Sequence, residues 1–124
     1  MSSKVQSGVR AVGLQEETAL ILLKGENKMD SNKFILGHVV CTNGIGDRMN
    51  SDKEFFKFVK SSFTKYMEGD WGDTCEEDVI SNNEAVKNGE RILAVYIHKL
   101  SNTKIWIITE LDRSVTTILF PEEY

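Results

Sequence analysis

The chain has 124 residues, 40% hydrophobic and 27% charged, with a formal net charge of −4, which is ordinary for one globular domain with a buried core. The acidic balance argues against a nucleic-acid partner, because general nucleic-acid binders need a basic surface. No apolar run is long enough to span a bilayer, and the short run at residues 18–23 follows two glutamates, unlike a signal peptide. We therefore expect a cytoplasmic protein without a membrane partner, in which Cys41 and Cys75 are reduced thiols.

Residues 1–32 show little regular patterning. Apolar runs at residues 9–14 and 19–23 allow a hairpin, and residues 16–24 allow a short helix instead. Met29 offers an alternative start codon, which leaves open whether residues 1–28 belong to the native product. We assign residues 1–32 to an N-terminal extension or an appended hairpin or helix, and residues 33–124 to a single domain.

The first elements of this domain are a strand at residues 34–41 and a turn at residues 42–46. Ser51 and Glu54 have the spacing of a capping box, which predicts a helix that begins there and stops at Gly69. The apolar side chains of this helix fall on one arc: Phe55, Phe56, Val59, Phe63, Tyr66 and Met67.

A second capping box, Thr74 to Glu77 with Asp73 as a competing cap, predicts another helix. It should run to about Asn88, with Gly89 in the left-handed position that follows a helix. Its predicted buried stripe is weak: Cys75, Val79 and Val86.

Three apolar, β-branched runs follow at residues 91–98, 104–110 and 114–120, joined by short polar connections. Connections this short join antiparallel neighbours, so the runs predict a C-terminal three-stranded β-meander. We therefore predict an α+β fold with a mostly antiparallel sheet, an additional N-terminal strand and two helices packed on the sheet. The predicted core includes Ile92, Trp106 and Ile107.

The acidic stretch at residues 68–78 suggests two roles. Clustered carboxylates suit a hard cation, but the spacing does not match an EF-hand loop, and acids at a helix start also complement its positive end. We favour capping and loop ordering by Asp70 and Asp73, without a metal. A zinc site composed of His38, Cys41, Cys75 and His98 is disfavoured by their spacing, so no cofactor is predicted.

Trp71, between two glycines, and Arg113, in a tight turn, are the strongest candidates for a binding site. Our hypothesis is that the loop at residues 69–73 and the turn at residues 112–114 meet at one end of the sheet. Trp71 would offer a stacking face and Arg113 a cationic fork for an anionic ligand or an acidic patch. The alternative is a core plug at Trp71 and an internally paired Arg113. The predicted ligand- or partner-binding residues are Asp70, Trp71, Asp73, Asp112, Arg113 and Ser114.

Several segments together resemble one protein family: GDWGD at residues 69–73, NGERIL at 88–93, TKIWIITE at 103–110 and DRSVTTILFPEEY at 112–124. It is a family of small uncharacterised bacterial proteins from chromosomes, plasmids and other mobile elements, sometimes labelled plasmid-related. The resemblance covers about residues 33–124. It implies a mobile-element context and gives no catalytic role to any residue.

Two classes of function remain open. The first, which we favour, is a non-enzymatic binding or accessory protein whose partner is a protein or a small anionic ligand. The second is a small RNase-like toxin or other hydrolase, which needs acids and bases in a basic cleft. Arg91, His98, Arg113 and Tyr124 are the residues that such an enzyme would recruit.

Overall fold

A five-stranded sheet with three helices forms the fold of the part that the computed structural model describes, residues 11–13 and 33–124. The elements in chain order are β1 (Ala11–Gly13), β2 (His38–Thr42), α1 (Asn43–Ser51), α2 (Lys53–Met67), α3 (Glu76–Asn88), β3 (Ile92–His98), β4 (Thr103–Thr109), β5 (Val115–Leu119) and a 3-10 turn at Pro121–Glu123. Among these described residues, no helix has the length and apolar character needed to cross a membrane.

The sheet has the strand order β1-β2-β5-β4-β3. β3 pairs antiparallel with β4, β4 with β5 and β1 with β2, whereas β2 runs parallel to β5. The predicted α+β class is confirmed, and the sheet is mixed rather than strictly antiparallel, because the β2–β5 pair is parallel. The three C-terminal strands form one side of this sheet as antiparallel neighbours. The long connection from β2 to β5 permits parallel pairing, which alternation within a strand cannot reveal.

One face of the sheet and the helices enclose the core. Ala94, Ile107, Ile118 and Cys41 lie side by side across four strands on this face, and all four are buried. The helices supply the other side of the core: Ile45, Met49, Phe55, Val59, Phe63, Tyr66, Met67 and Ala85. Within the described residues, these helices cover one face of the sheet, which is a standard way to bury apolar surface.

The core predictions hold for Ile92 and Ile107, both fully buried. The prediction for Trp106 is wrong, because Trp106 lies on the opposite face of the sheet and is only half-buried. Its ring contacts that of Tyr124 at a centroid distance of 5.4 Å.

The segment predicted as a turn at residues 42–46 starts helix α1 instead. Thr42 caps this helix, with its Oγ1 accepting from the N–H of Ile45 at 3.3 Å. The cap predicted at Ser51 is also wrong, since Ser51 belongs to the last turn of α1. Asp52 caps α2, accepting from the N–H groups of Glu54 and Phe55 at 3.1 Å each. The domain therefore has three helices rather than two.

The third helix, α3, differs from expectation at its start and agrees at its end. Cys75 occupies the N-cap position without a side-chain capping bond, so the caps predicted at Thr74 and Asp73 are wrong. Gly89 ends the helix with φ +73°, as predicted, and its N–H donates to the carbonyl of Ala85 at 2.9 Å. The buried residues are Asn82 and Ala85, whereas Cys75 is exposed and the two valines of the predicted stripe are half-buried.

The strand predicted at residues 34–41 is shorter and displaced, because β2 begins only at His38. Phe34 and Leu36 precede it in irregular backbone and are buried. Within the N-terminal segment, β1 pairs with β2, Ala11 opposite Thr42. The hairpin and helix alternatives otherwise lie outside the described residues.

Candidate functional site

Trp71 is a plug in the core. Its side chain is 4% exposed, and its indole Nε1–H donates to Asn83 Oδ1 at 2.8 Å. The ring lies against Phe34 and Tyr66, with centroid distances of 6.1 and 5.5 Å. The face proposed for stacking on a ligand is therefore covered by the protein itself.

The glycine after Trp71 explains how the loop holds this plug. Gly72 has φ +63°, and a Cβ atom placed there would lie 2.4 Å from the Tyr96 ring, so only glycine fits. Asp70 Oδ1 accepts from the Gly72 N–H at 3.1 Å, and the Tyr96 hydroxyl donates to the Asp70 carbonyl at 2.9 Å. Asp70 therefore orders the loop, as expected from the sequence.

The acidic loop and α3 together protect the outer edge of the sheet. β3 is an edge strand, whose backbone groups would otherwise be open to pairing with another chain. Asp73 N–H donates to the Val95 carbonyl at 2.8 Å, and Thr74 Oγ1 accepts from the Val95 N–H at 2.8 Å. Asn82 binds both backbone groups of Leu93. We call Asp73, Thr74 and Asn82 the edge cover.

Asp73 contributes its carboxylate as well. Oδ2 accepts from the Ile97 N–H at 2.8 Å, and Oδ1 meets Lys99 Nζ at 3.0 Å. Partial burial raises the pKa of Asp73, but the hydrogen bonds from Lys99 and the Ile97 N–H outweigh it, and the net pKa is lowered. The carboxylate thus stays ionised and bound to β3 at neutral pH.

Arg113 binds the C-terminal end of α3 rather than an open surface. Its guanidinium donates to the carbonyl oxygens of Ala85, Glu90 and Glu110 at 2.9, 2.7 and 3.2 Å. A cation at this end of a helix complements the negative pole of the helix dipole. The residue adopts φ +60°, which is uncommon outside glycine and asparagine.

Asp112 and Ser114 complete the same turn. Asp112 Oδ1 accepts from the Ser114 Oγ at 2.6 Å and from the Ser114 N–H at 3.0 Å. The bond from the Ser114 hydroxyl is the largest cause of a lowered pKa at Asp112. This is an ordinary Asx-turn, in which the side chain stabilises the reversal of the backbone.

The two predicted loops do converge, on the ring of Phe34. Trp71 contacts this ring from one loop, and the guanidinium carbon of Arg113 lies 6.0 Å from its centroid. The structure therefore brings the two predicted residues to one buried neighbour. Their polar groups are used in internal bonds, which agrees with the alternative interpretation of both residues.

Of the four residues that an RNase-like enzyme would recruit, Arg91 contacts Tyr124, Arg91 and Arg113 both contact Glu110, and His98 lies apart. Arg91 pairs with Glu110 at 3.5 Å and donates to the Tyr124 hydroxyl at 2.7 Å. His98 stacks on Phe58 at 4.8 Å between ring centroids. Arg91 and His98 flank opposite ends of β3, which puts them roughly 20 Å apart at about 3.3 Å per residue. His98 is therefore separated from Arg91 and its contacts with Tyr124 and Glu110.

Within residues 11–13 and 33–124, no group of three or more His, Cys, Asp or Glu side chains is placed to hold a metal ion. Cys41 is buried and Cys75 exposed. Desolvation, with smaller contributions from Glu123 and Asp47, raises the pKa of Cys41 to about 11, which makes it a poor nucleophile.

A groove of about 560 Å³ lies at the other end of the sheet, between α1, the β3–β4 turn and the C-terminal 3-10 turn. We call it the α1 groove. Three separate parts of the chain line it: Gly44, Arg48, Asn102, Thr103, Lys104, Phe120, Pro121 and Glu122. Sequence reasoning did not single out these residues, because their only common property is proximity in the fold.

Two cations and one acid lie in the α1 groove. Arg48 Nε pairs with Asp52 at 3.5 Å, and its guanidinium lies over the Phe55 ring at 4.6 Å, which holds the side chain in place. Lys104 and Glu122 are exposed. Neither forms a salt bridge with another residue of the described chain.

Glu123 connects the start of α1 to the C-terminal turn, in the wall of the α1 groove. Its Oε1 accepts from the Thr42 hydroxyl at 2.6 Å and from the Phe120 N–H at 2.9 Å. This places a carboxylate at the N-terminus of α1, where the helix dipole favours negative charge. A signal existed in the sequence, since Pro121 followed by two acids is typical of a first helical turn.

Comparisons with protein-family models, with curated proteins and with solved structures find no match to this chain.

Proposed function

We propose that this protein is a non-enzymatic binding protein that takes an anionic group, from a small ligand or a partner protein, in the α1 groove. The observation that supports this most is the meeting of Arg48 and Lys104 in one concave site. Small-ligand sites are concave and use a few convergent polar groups for orientation. Phe120 and Pro121 add apolar surface to the same groove.

The charge distribution supports an anionic ligand. The whole chain has a net charge of −4, and two cations, Arg48 and Lys104, line the groove. Asp52 is paired with Arg48, and Glu123 is bonded to Thr42 and Phe120, which leaves Lys104 without a salt bridge to a described residue. Arg48 presents a planar fork that suits carboxylate or phosphate, and Lys104 adds an exposed point charge. An anion in the groove would therefore be attracted first by Lys104.

Binding is favoured over catalysis because the candidate acids and bases are engaged elsewhere. His98 is stacked on Phe58, and Arg113 is bonded to three carbonyl oxygens. An accessory role on a plasmid or other mobile element, which the family resemblance implies, is part of this proposal. The site that we propose is therefore the α1 groove, in place of the Trp71 loop and the Arg113 turn predicted from the sequence.

Isothermal titration with orthophosphate, pyrophosphate and citrate at low salt tests the proposal. We expect pyrophosphate or citrate to bind, and Arg48→Gln and Lys104→Gln each to weaken binding about tenfold, the equivalent of one charge-assisted hydrogen bond. Lys87→Gln, on the exposed side of α3, is the matched control with the same change in charge. Equal affinities in the original protein and the three variants, or no heat of binding with any probe, would show that the groove is not an anion site.

A further inference from the structure

We infer that the ligand of the α1 groove is dipolar, with an acid group at one end and an ammonium group at the other. This inference rests on the proposed function and specifies its ligand class. It starts from the third charged residue of the groove, Glu122, which a simple anion would have to approach.

Glu122 and Glu123 are adjacent acids with different surroundings. Glu123 is half-buried and its carboxylate accepts from Thr42 and Phe120. Glu122 is exposed, lines the groove and forms no salt bridge within the described chain. The structural requirements of the C-terminal turn are thus met by Glu123, and the Glu122 carboxylate is available to a ligand.

Lys104 is the counterpart of Glu122. It stands on β4, just after the β3–β4 turn, and is exposed in the same groove without a salt bridge to a described residue. Two opposite charges in one groove, neither in a salt bridge with a described residue, form a bipolar site. A ligand with charges of both signs would meet attraction at each end, whereas a plain anion meets Glu122 as a repelling charge.

The uncharged residues that line the groove indicate what lies between the two charged groups of the ligand. Phe120 and Pro121 lie next to Glu122 in the chain and give the groove apolar surface. The volume of about 560 Å³ is within the range of sites for small organic ligands. The geometry therefore favours a zwitterion of the size of an amino acid or a dipeptide, with a side chain that can contact Phe120 and Pro121.

The test is an NMR titration of the amide signals with four probes: phenylalanine, N-acetylphenylalanine, phenylalaninamide and pyrophosphate. Phenylalanine has both charges, whereas the second probe lacks the ammonium group and the third lacks the carboxylate. We expect phenylalanine to bind about tenfold more tightly than either derivative, the effect of one charge-assisted bond. Shifts should appear at Gly44, Asn102 and Phe120.

Glu122→Gln separates the role of this residue from general effects of charge. We expect this variant to bind phenylalanine and N-acetylphenylalanine equally and to bind pyrophosphate more tightly than the original protein. Glu84→Gln on α3 is exposed outside the groove and serves as the control.

The outcomes distinguish this inference from the function on which it rests. If pyrophosphate shifts the groove signals but phenylalanine binds no better than its N-acetyl derivative, the dipolar ligand is wrong and the anion site stands. If none of the four probes shifts the groove signals, both are wrong.

Discussion

Asn82 of α3 binds the backbone of Leu93 at both of its polar groups, donating to the carbonyl oxygen at 2.9 Å and accepting from the N–H at 3.2 Å. An amide side chain thus replaces one residue of a neighbouring strand along the edge of β3. This explains why a polar residue occupies a position on α3 that is only 4% exposed. It also explains the weak apolar stripe of that helix, because part of its inner face pairs with a strand edge.

Asn82→Leu should destabilise the fold by about 1–3 kcal/mol, since it leaves two backbone groups of Leu93 without partners. Urea denaturation gives the free energy of unfolding, and hydrogen exchange should show faster exchange at the Leu93 amide. Asn88→Leu, exposed on the last turn of α3, is the control. A variant at Asn82 with unchanged stability would show that the bonds of Asn82 to Leu93 do not stabilise the fold.

Trp71→Ala should cost about 3–5 kcal/mol, the usual loss for removing a large buried aromatic side chain. Trp71→Phe should cost less, because it keeps most of the packing against Phe34 and Tyr66 and loses only the bond to Asn83. Thermal denaturation of both variants measures this order. If Trp71→Ala is as stable as the original protein, Trp71 is not a core residue and becomes a candidate for binding again.

Arg113 allows the side chain and the backbone to be tested separately. Both Arg113→Ala and Arg113→Gly lose the bonds to the end of α3, but only alanine keeps the strain of φ +60°. We expect both variants to be less stable than the original, with glycine about 1 kcal/mol more stable than alanine. If neither variant shifts the denaturant midpoint, the guanidinium does not stabilise α3.

The parts of the fold that were predicted correctly depend on residues close in sequence. The arc of α2 follows from a helical period, and the left-handed Gly89 follows from a local backbone requirement. The parallel pairing of β2 with β5 has no such local signal. Helix α1 was missed because Gly44 and Gly46 favour a turn locally, whereas Thr42 and Glu123, 81 positions apart, stabilise the helix start.

The predicted binding site at Trp71 and Arg113 was wrong for a similar reason, because the bonds of both residues are to residues distant in sequence. Trp71 and Arg113 were chosen correctly as residues with a special role, but their partners decide what the role is. Asn83 and Ala85, both on α3, accept from Trp71 and Arg113 respectively. The α1 groove could not be predicted, because Arg48, Lys104 and Glu122 are ordinary surface residues until the fold brings them together.

The two thiols should differ in reactivity and in their effect on alkaline stability. Iodoacetamide should modify exposed Cys75 and leave buried Cys41 unmodified until the protein unfolds. The folded pKa of Cys41, about 11, lies above the ordinary value of 9.0. Below pH 9 both states keep the proton and stability is complete; between pH 9 and 11 only the unfolded state loses it, so stability falls.

Cys41→Ala should therefore reduce the loss of stability between pH 9 and 11, and Cys75→Ala should leave it unchanged. Urea denaturation at a series of pH values measures both slopes. Equal slopes in the two variants, or rapid alkylation of Cys41 in the folded protein, would contradict the burial of this thiol.

An NMR titration of the original protein with pyrophosphate shows whether an anionic group binds in the α1 groove or at the Trp71–Arg113 region. Amide shifts at Gly44, Asn102, Thr103 and Phe120, with no change at residues 69–73 and 112–114, are the result that we predict. Shifts concentrated at residues 69–73 and 112–114, with the groove signals unmoved, would contradict it.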